Sequence, residues 1–187
     1  MSVPELLRTE RLVLRPWRVS DAPALGAILD ANYAHLGPWI PSRIATPAAP
    51  PQLKIRLQRF AEDFTHANEW RYAMLTVGEE QLLGEISLFP RSAQARVPYA
   101  DADRIEIGYW IRKDMTGRGF VTEAVRVVLE MVAEDPRFAC AEIRCDARNA
   151  PSSAVPARLD FALTQTVADD DVALQVWTLN FTRNSNC

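Results

Sequence analysis

A chain of 187 residues, 48% of them apolar, is long enough to bury one full core and short for two, so residues 1–187 read as a single domain, with the motif-bearing part between about residues 9 and 179. A formal net charge of -3 supplies no general basic surface for nucleic acid, no run of about eighteen apolar residues offers a membrane span, and the polar opening Met1–Glu10 lacks secretory character. Three cysteines, Cys140, Cys145 and Cys187, are odd in number and lack metal-ligand spacing, which points to a reducing cytoplasm and to no metal.

Along the chain, Arg11 to Arg15 alternates as a strand, and Ser20 or Asp21 is placed to cap a helix carrying Leu25, Ile28 and Leu29. The run TPAAPP, from Thr46 to Pro51, is an internal loop before a helix with Leu53, Leu57, Phe60 and Phe64 on one stripe. Trp70 to Val77 and Leu82 to Phe89 are strand-like around Gly78, Glu79 and Glu80, which predicts a hairpin, and Arg91 to Arg104 is a long polar connection. In Ile105 to Ile111 the residues Ile105, Ile107, Tyr109 and Ile111 share one face, and Glu106, Gly108 and Trp110 the other. A helix follows, with Val121, Val125, Val128 and Val132 as its apolar stripe and Glu123, Arg126, Glu130 and Glu134 as its solvated face, ending near Asp135 and Pro136. Ala141 to Asp146 alternates again, and Leu163 to Val167 pairs with Val172 to Leu179 across Asp169, Asp170 and Asp171. The order is β-α-α-β-β-β-α-β-α-β-β, a mixed α/β chain without internal repeats.

The most informative segment is Ile105 to Ala133, which joins a strand to a basic, glycine-bearing turn and then to an amphipathic helix. A helix start exposes unpaired N–H donors, and Gly117 and Gly119 let a large anion approach the backbone. Arg112, Lys113 and Arg118 add positive charge nearby. Neither a third glycine at the dinucleotide-binding spacing nor a Gly-Lys-Ser/Thr follows, and a glycine turn without a ligand is the plain alternative.

GYWIRKDMTGRGFVTEA resembles the acetyl-CoA-binding motif of the Gcn5-related N-acetyltransferases (GNAT), in particular the branch of ribosomal-protein N-terminal acetyltransferases. Three further segments match in order: Thr9 to Leu25 resembles that branch's opening strand and first helix, Leu36 to Pro41 its substrate-side loop, and Asn149 to Phe161 its asparagine-to-serine motif. The resemblance implies an α/β (α+β) acyl-CoA N-acyltransferase fold, a mixed central sheet flanked by helices, in which the strands Ile105–Ile111 and Ala141–Asp146 splay apart. The backbone near Trp110, Ile111 and Arg112 would then pair with pantetheine, while Thr116, Gly117, Arg118, Gly119, Phe120 and Val121, with Thr122 at the helix start, would hold the pyrophosphate. Arg118 is the foremost charged candidate. Val121 stands where the family has a small residue, and Thr116 where it has glutamine or arginine.

Direct acetyl transfer needs a neutral amine, a route for its proton and a donor to the departing thiolate. An α-amino group, with pKa near 7.7 to 8.0, needs less help than a lysine near 10.4. Glu106 is the leading base or water-relay candidate, the alternative being an ion pair with Arg104 or Arg144. The resemblance implies that Asn149 contacts pantetheine and that the Ser152 hydroxyl serves the coenzyme sulfur; Asn149, Ser152 and Ser153 are equally good helix caps. The family's tyrosine in this helix is absent. Pro156 falls in its second turn unless the helix starts at Ser153, and Asp160 replaces a glycine that ends the helix with positive φ. Tyr33, His35, Trp39 and Ile40 occupy the acceptor-side loop, either framing a peptide N-terminus or a small amine or, as expected for Trp39, anchoring the core. The expected activity is acetyl-CoA-dependent N-acetylation of a peptide or protein N-terminus or of a small-molecule amine. The alternatives are a coenzyme-binding module without turnover and an unrelated nucleotide-binding domain; a homodimer is a general expectation.

Overall fold

The computed structural model describes residues 3–169 and 172–181. Eight strands form one sheet in the order β1-β2-β3-β4-β5-β6-β8-β7. They are β1 (Leu7–Arg8), β2 (Leu12–Pro16), β3 (Trp70–Thr76), β4 (Leu82–Arg91), β5 (Arg104–Ile111), β6 (Cys140–Asp146), β7 (Ala162–Asp169) and β8 (Val172–Asn180). Every described pairing is antiparallel except β5 with β6.

Helices cover both faces. On one side α1 (Ala22–Leu36), α2 (Ser42–Ala45) and α3 (Pro50–Thr65) bury Leu25, Leu29, Leu53 and Leu57 with Trp17 and Trp110. On the other, α4 (Phe120–Ala133) and α5 (Ala150–Ala157) bury Val125, Val128, Val132 and Val155 with Ile105 and Ile107. The alternation along β5 is therefore borne out, each set of side chains meeting a different helical layer. None of the described helices is long and apolar enough to cross a membrane.

The structure adds two elements, β1 and the single turn α2, both too short for a periodic signal. It also moves a boundary: Pro50 and Pro51 belong to the first turn of α3, where a missing N–H leaves no bond unmade. Asp21 precedes α1 as expected but does not cap it. Its carboxylate instead accepts from both terminal Arg15 guanidinium nitrogens at 2.8 Å and from the Arg18 amide at 2.8 Å. Glu123 is not on a solvated face, because Thr9 and Arg11 bind it. The β7–β8 hairpin forms as expected, although Asp170 and Asp171 of its turn, like Cys187, lie outside the described residues.

At α5 the helix starts at Ala150 rather than Ser153, with Asn149 as its cap: Asn149 Oδ1 accepts the Ser152 amide at 3.2 Å. Pro156 therefore lies inside the helix. Asp160 takes the left-handed conformation of the glycine it replaces, φ 60°, and Phe161 N–H turns back to the Pro156 carbonyl at 3.2 Å. A left-handed residue with a Cβ costs about 1 kcal/mol. Asp160→Gly is accordingly expected to raise the melting temperature by about 3 °C in a calorimetric scan.

Candidate active site

Only Arg104↔Cys140, Ile105↔Ala141 and Glu106↔Glu142 pair in the β5–β6 ladder. Beyond Glu106 the strands part, and a cleft of about 1240 Å³ opens along the second half of β5. Trp110 and Ile111 line it, as do Ser152 and Asn149 from α5.

The turn after β5 is held from behind. Asn32 on α1, itself tied to the Ile28 carbonyl, accepts the Lys113 amide at 2.8 Å, and Arg112 N–H reaches Leu83 O at 2.9 Å. Gly117 and Gly119 have φ 72° and 80°, and a Cβ at Gly117 would meet nothing within 4 Å, so backbone conformation is what demands glycine there. Gly119 is the N-cap of α4, and no side chain caps this end. The first amides of α4, at Phe120, Val121 and Thr122, have no partner within the helix and stand at the cleft wall. Thr116, Gly117 and Gly119 complete the wall, while Val121 also packs its side chain against the core.

The charges at this turn differ from expectation. Arg112 and Arg118 do not line the cleft, and Arg112 grips Asp114 at 2.7 and 2.8 Å. Arg11, from the N-terminal strand region, lines it instead. Its Nη1 donates to the Arg118 carbonyl at 3.0 Å, its Nε to Glu123 at 2.7 Å, and its guanidinium lies over the Phe120 ring at 4.6 Å. Burial by itself would push the Glu123 carboxyl up, but hydrogen bonds from Thr9 and Arg11 hold it below the usual carboxylate range. Arg11 and Glu123 are 112 residues apart, so no spacing or periodicity announces the pair.

Towards α1 and α3 the floor of the cleft is charged. Glu85 accepts from Trp17 Nε1 at 2.8 Å, Arg71 at 2.7 Å and Ser87 at 2.7 Å. His35 and Trp39 line this end, whereas Tyr33 does not and is 49% exposed. Trp39, 40% exposed, is a rim residue and not the core anchor expected.

On the α5 side, Tyr109 from β5 meets Ser152. The phenol donates to the Ser152 carbonyl at 2.9 Å, and Ser152 Oγ donates to the phenol oxygen at 3.3 Å. Ser152 is not the helix cap, which Asn149 supplies.

The acetyltransferase (GNAT) domain model matches residues 11–162, most of the chain. The chain belongs to the GNAT acetyltransferases. A curated relative is YdaF of Bacillus subtilis, whose name assigns it to ribosomal N-acetylation; it is 26% identical over 152 residues, 81% of this chain and 78% of that protein. Among solved structures, a ribosomal L7/L12 α-N-protein acetyltransferase in complex with coenzyme A superposes with TM-score 0.81 at 18% identity, covering 95% of this chain and 98% of that one. A ribosomal-protein-S5-alanine acetyltransferase from Vibrio fischeri gives 0.79 at 20%, covering 97% and 99%. This GNAT domain is an N-acetyltransferase with the mixed, splayed sheet and flanking helices of the family.

In this acetyltransferase Glu106 is ion-paired, though not with the expected partners. Arg91 and Arg96 bind it, Arg96 at 2.5 Å, while Arg104 and Arg144 bind Glu142 at 2.9 and 3.2 Å. Arg96 also lies 3.5 Å over the Phe89 ring. Burial pushes the Glu106 carboxyl up, but the guanidiniums of Arg96 and Arg91 outweigh it and hold the group below its ordinary 4.5. A depressed folded-state pKa stabilises the fold above the unfolded value, and that stabilisation is lost as pH falls through the folded one. Glu106→Gln leaves two guanidiniums facing a neutral amide in a buried setting and is expected to cost about 3 kcal/mol at neutral pH. The difference from wild type in thermal melts should shrink as pH falls through the lowered Glu106 pKa, where the native carboxylate itself takes up a proton.

Proposed function

We propose that this N-acetyltransferase takes acetyl-CoA as donor and moves its acetyl group to the α-amino group of a peptide or protein N-terminus in the cytoplasm. The observation that carries the reading is the three-pair ladder leading to an uncapped, glycine-led helix: unpaired strand backbone for pantetheine amides and a row of free N–H groups for pyrophosphate. Ile111 offers its backbone on the open edge of the strand with Trp110 beside it, and Thr116, Gly117, Gly119, Phe120, Val121 and Thr122 form the phosphate wall. Arg11, paired with Glu123, stands at the cleft wall where Arg112 and Arg118 do not. Names of relatives support the acceptor: two solved neighbours are described as acetylating ribosomal-protein α-amines or an S5 alanine.

Acyl transfer here breaks the thioester C–S bond as the amine nitrogen bonds to the carbonyl carbon; one proton leaves the nitrogen and one reaches the thiolate. The Ser152 hydroxyl at the cleft wall serves the departing sulfur. Glu106, kept ionised by two guanidiniums, is a weak direct base, so its role is to hold the neutral acceptor amine and the water that carries its proton away. An α-amine with pKa near 8 suits so modest a proton route. His35 and Trp39 frame the acceptor entrance.

Calorimetric titration with acetyl-CoA should give a single binding event. Gly119→Glu, which puts a carboxylate on a left-handed residue at the phosphate wall, should abolish the heat in a folded protein; retained affinity would overturn the placement. Peptides with free N-terminal alanine or serine should release coenzyme A thiol on mixing, and the same peptides N-blocked but carrying lysine should not. Turnover of small amines alone would reassign the acceptor. Glu106→Gln should lower kcat more than it weakens acetyl-CoA binding, and equal turnover at every pH would remove Glu106 from the proton route.

A further inference from the structure

Pro156 lies inside α5, where any other residue would donate its amide to the Ser152 carbonyl four positions back. Proline has no such proton, yet the carbonyl is bonded, because Tyr109 Oη donates to it at 2.9 Å. This donor comes from the opposite bank of the cleft. Tyr109 stands on β5, three residues past the last β5–β6 pair at Glu106, and α5 follows β6. Ser152 Oγ in turn donates to the same phenol oxygen at 3.3 Å, so one side chain of β5 binds both the backbone and the hydroxyl of Ser152.

We infer that Tyr109 is a positioning residue for acetyl transfer: its phenol supplies the helix donor that Pro156 removes, and its oxygen holds the Ser152 hydroxyl against the cleft wall. The inference rests on the reading that Ser152 serves the departing sulfur. The ring packs against the larger core, which stops the phenol from swinging away. Burial pushes the Tyr109 ionisation well up, so the group stays a donor at any pH where the enzyme works. In its resting geometry the Ser152 proton lies on Tyr109 and the Tyr109 proton on the Ser152 carbonyl. A sulfur arriving in the cleft then meets a hydroxyl whose rotamer is already set, and only its O–H has to turn.

The test is a pair of double-mutant cycles, Tyr109→Phe with Pro156→Ala and Tyr109→Phe with Ser152→Ala. Melting temperature, acetyl-CoA affinity and kcat with the peptide acceptor are measured, together with the pH dependence of bound coenzyme A thiolate absorbance, which needs no acceptor. Tyr109→Phe should lower the melting temperature by about 3 °C and kcat by about tenfold, the scale of one hydrogen bond, and raise the bound thiol's pKa, with acetyl-CoA affinity changed less than about twofold. In the Pro156→Ala background the restored amide should remove the loss in melting temperature but not the loss in kcat, since the Ser152 hydroxyl still lacks its acceptor. In the Ser152→Ala background Tyr109→Phe should have no further effect on kcat.

An equal melting loss with and without Pro156 would overturn the exchange of donors. Recovery of kcat together with melting temperature would make Tyr109 purely structural, and additive losses with Ser152→Ala would show that it does not act through Ser152. If Ser152→Ala alone left both kcat and the bound thiol unchanged, the reading of Ser152 would fall and the positioning role with it, while the melting cycle would still decide whether Tyr109 stands in for the proline amide.

Discussion

Everything at the site depends on where β5 and β6 stop pairing. At the last pair, Glu106 and Glu142 sit side by side, an arrangement of like charges that opposes strand association. Arg91 spans them, binding Glu106 and lying 3.5 Å from Glu142, while Arg96 neutralises the first carboxylate and Arg104 and Arg144 the second. The cluster ties the two strands together at the fork and leaves nothing to tie them beyond it. Each strand keeps its line because its other edge is fully engaged: β5 pairs with β4 over eight residues and β6 with β8 over seven. The divergence therefore falls entirely between β5 and β6, where it leaves strand backbone unpaired.

The glycine turn before α4 is built on the same plan, with side chains holding backbone in place. Asn32 fixes the Lys113 amide from α1, and Arg11 fixes the Arg118 carbonyl while clamping Glu123 in the first turn of α4. A loop whose amides are already aimed loses little conformational freedom when an anion arrives, which is worth more than mobile surface charge. On the proposed reading, the turn can serve phosphate although Arg112 is tied to Asp114 and Arg118 faces solvent.

These contacts also mark where reading the sequence stops. The alternation of Ile105 to Ile111 and the glycine turn before α4 are local patterns that appear in the fold as expected because local sterics and one-sided burial produce them, and the proline run before α3 marks that helix's start to within two residues. Arg11 with Glu123, Asn32 with Lys113, and Arg91 with Glu106 and Glu142 join residues far apart in the chain, and a charged or amide residue carries no periodic sign of its partner. Glu106 shows the boundary within one residue. Its place on the strand was legible, but the guanidiniums that set its ionisation come from β4 and from the polar connection after it, not from the arginines nearest in register.

The segment Asn149 to Phe161 bears most on whether the domain turns over substrate, and it departs furthest from the family pattern. Its two departures are linked through Pro156. The residue offers no proton to the helix, and Tyr109 meets that loss; its carbonyl, however, accepts both Leu159 and Phe161, and the second bond exists because Asp160 turns left-handed. Phe161, 5% exposed, is thereby driven into the core beside Val155 and Leu159. An interior proline costs about 3 kcal/mol when its lost bond stays unmade. Here the carbonyl opposite it is bonded, the helix is capped at Asn149 and its far end is buried, so α5 presents Ser152 on a fixed support. A site decaying towards mere coenzyme binding would be expected to loosen first at such a segment, and this one is held at its cap, at its proline and at its end.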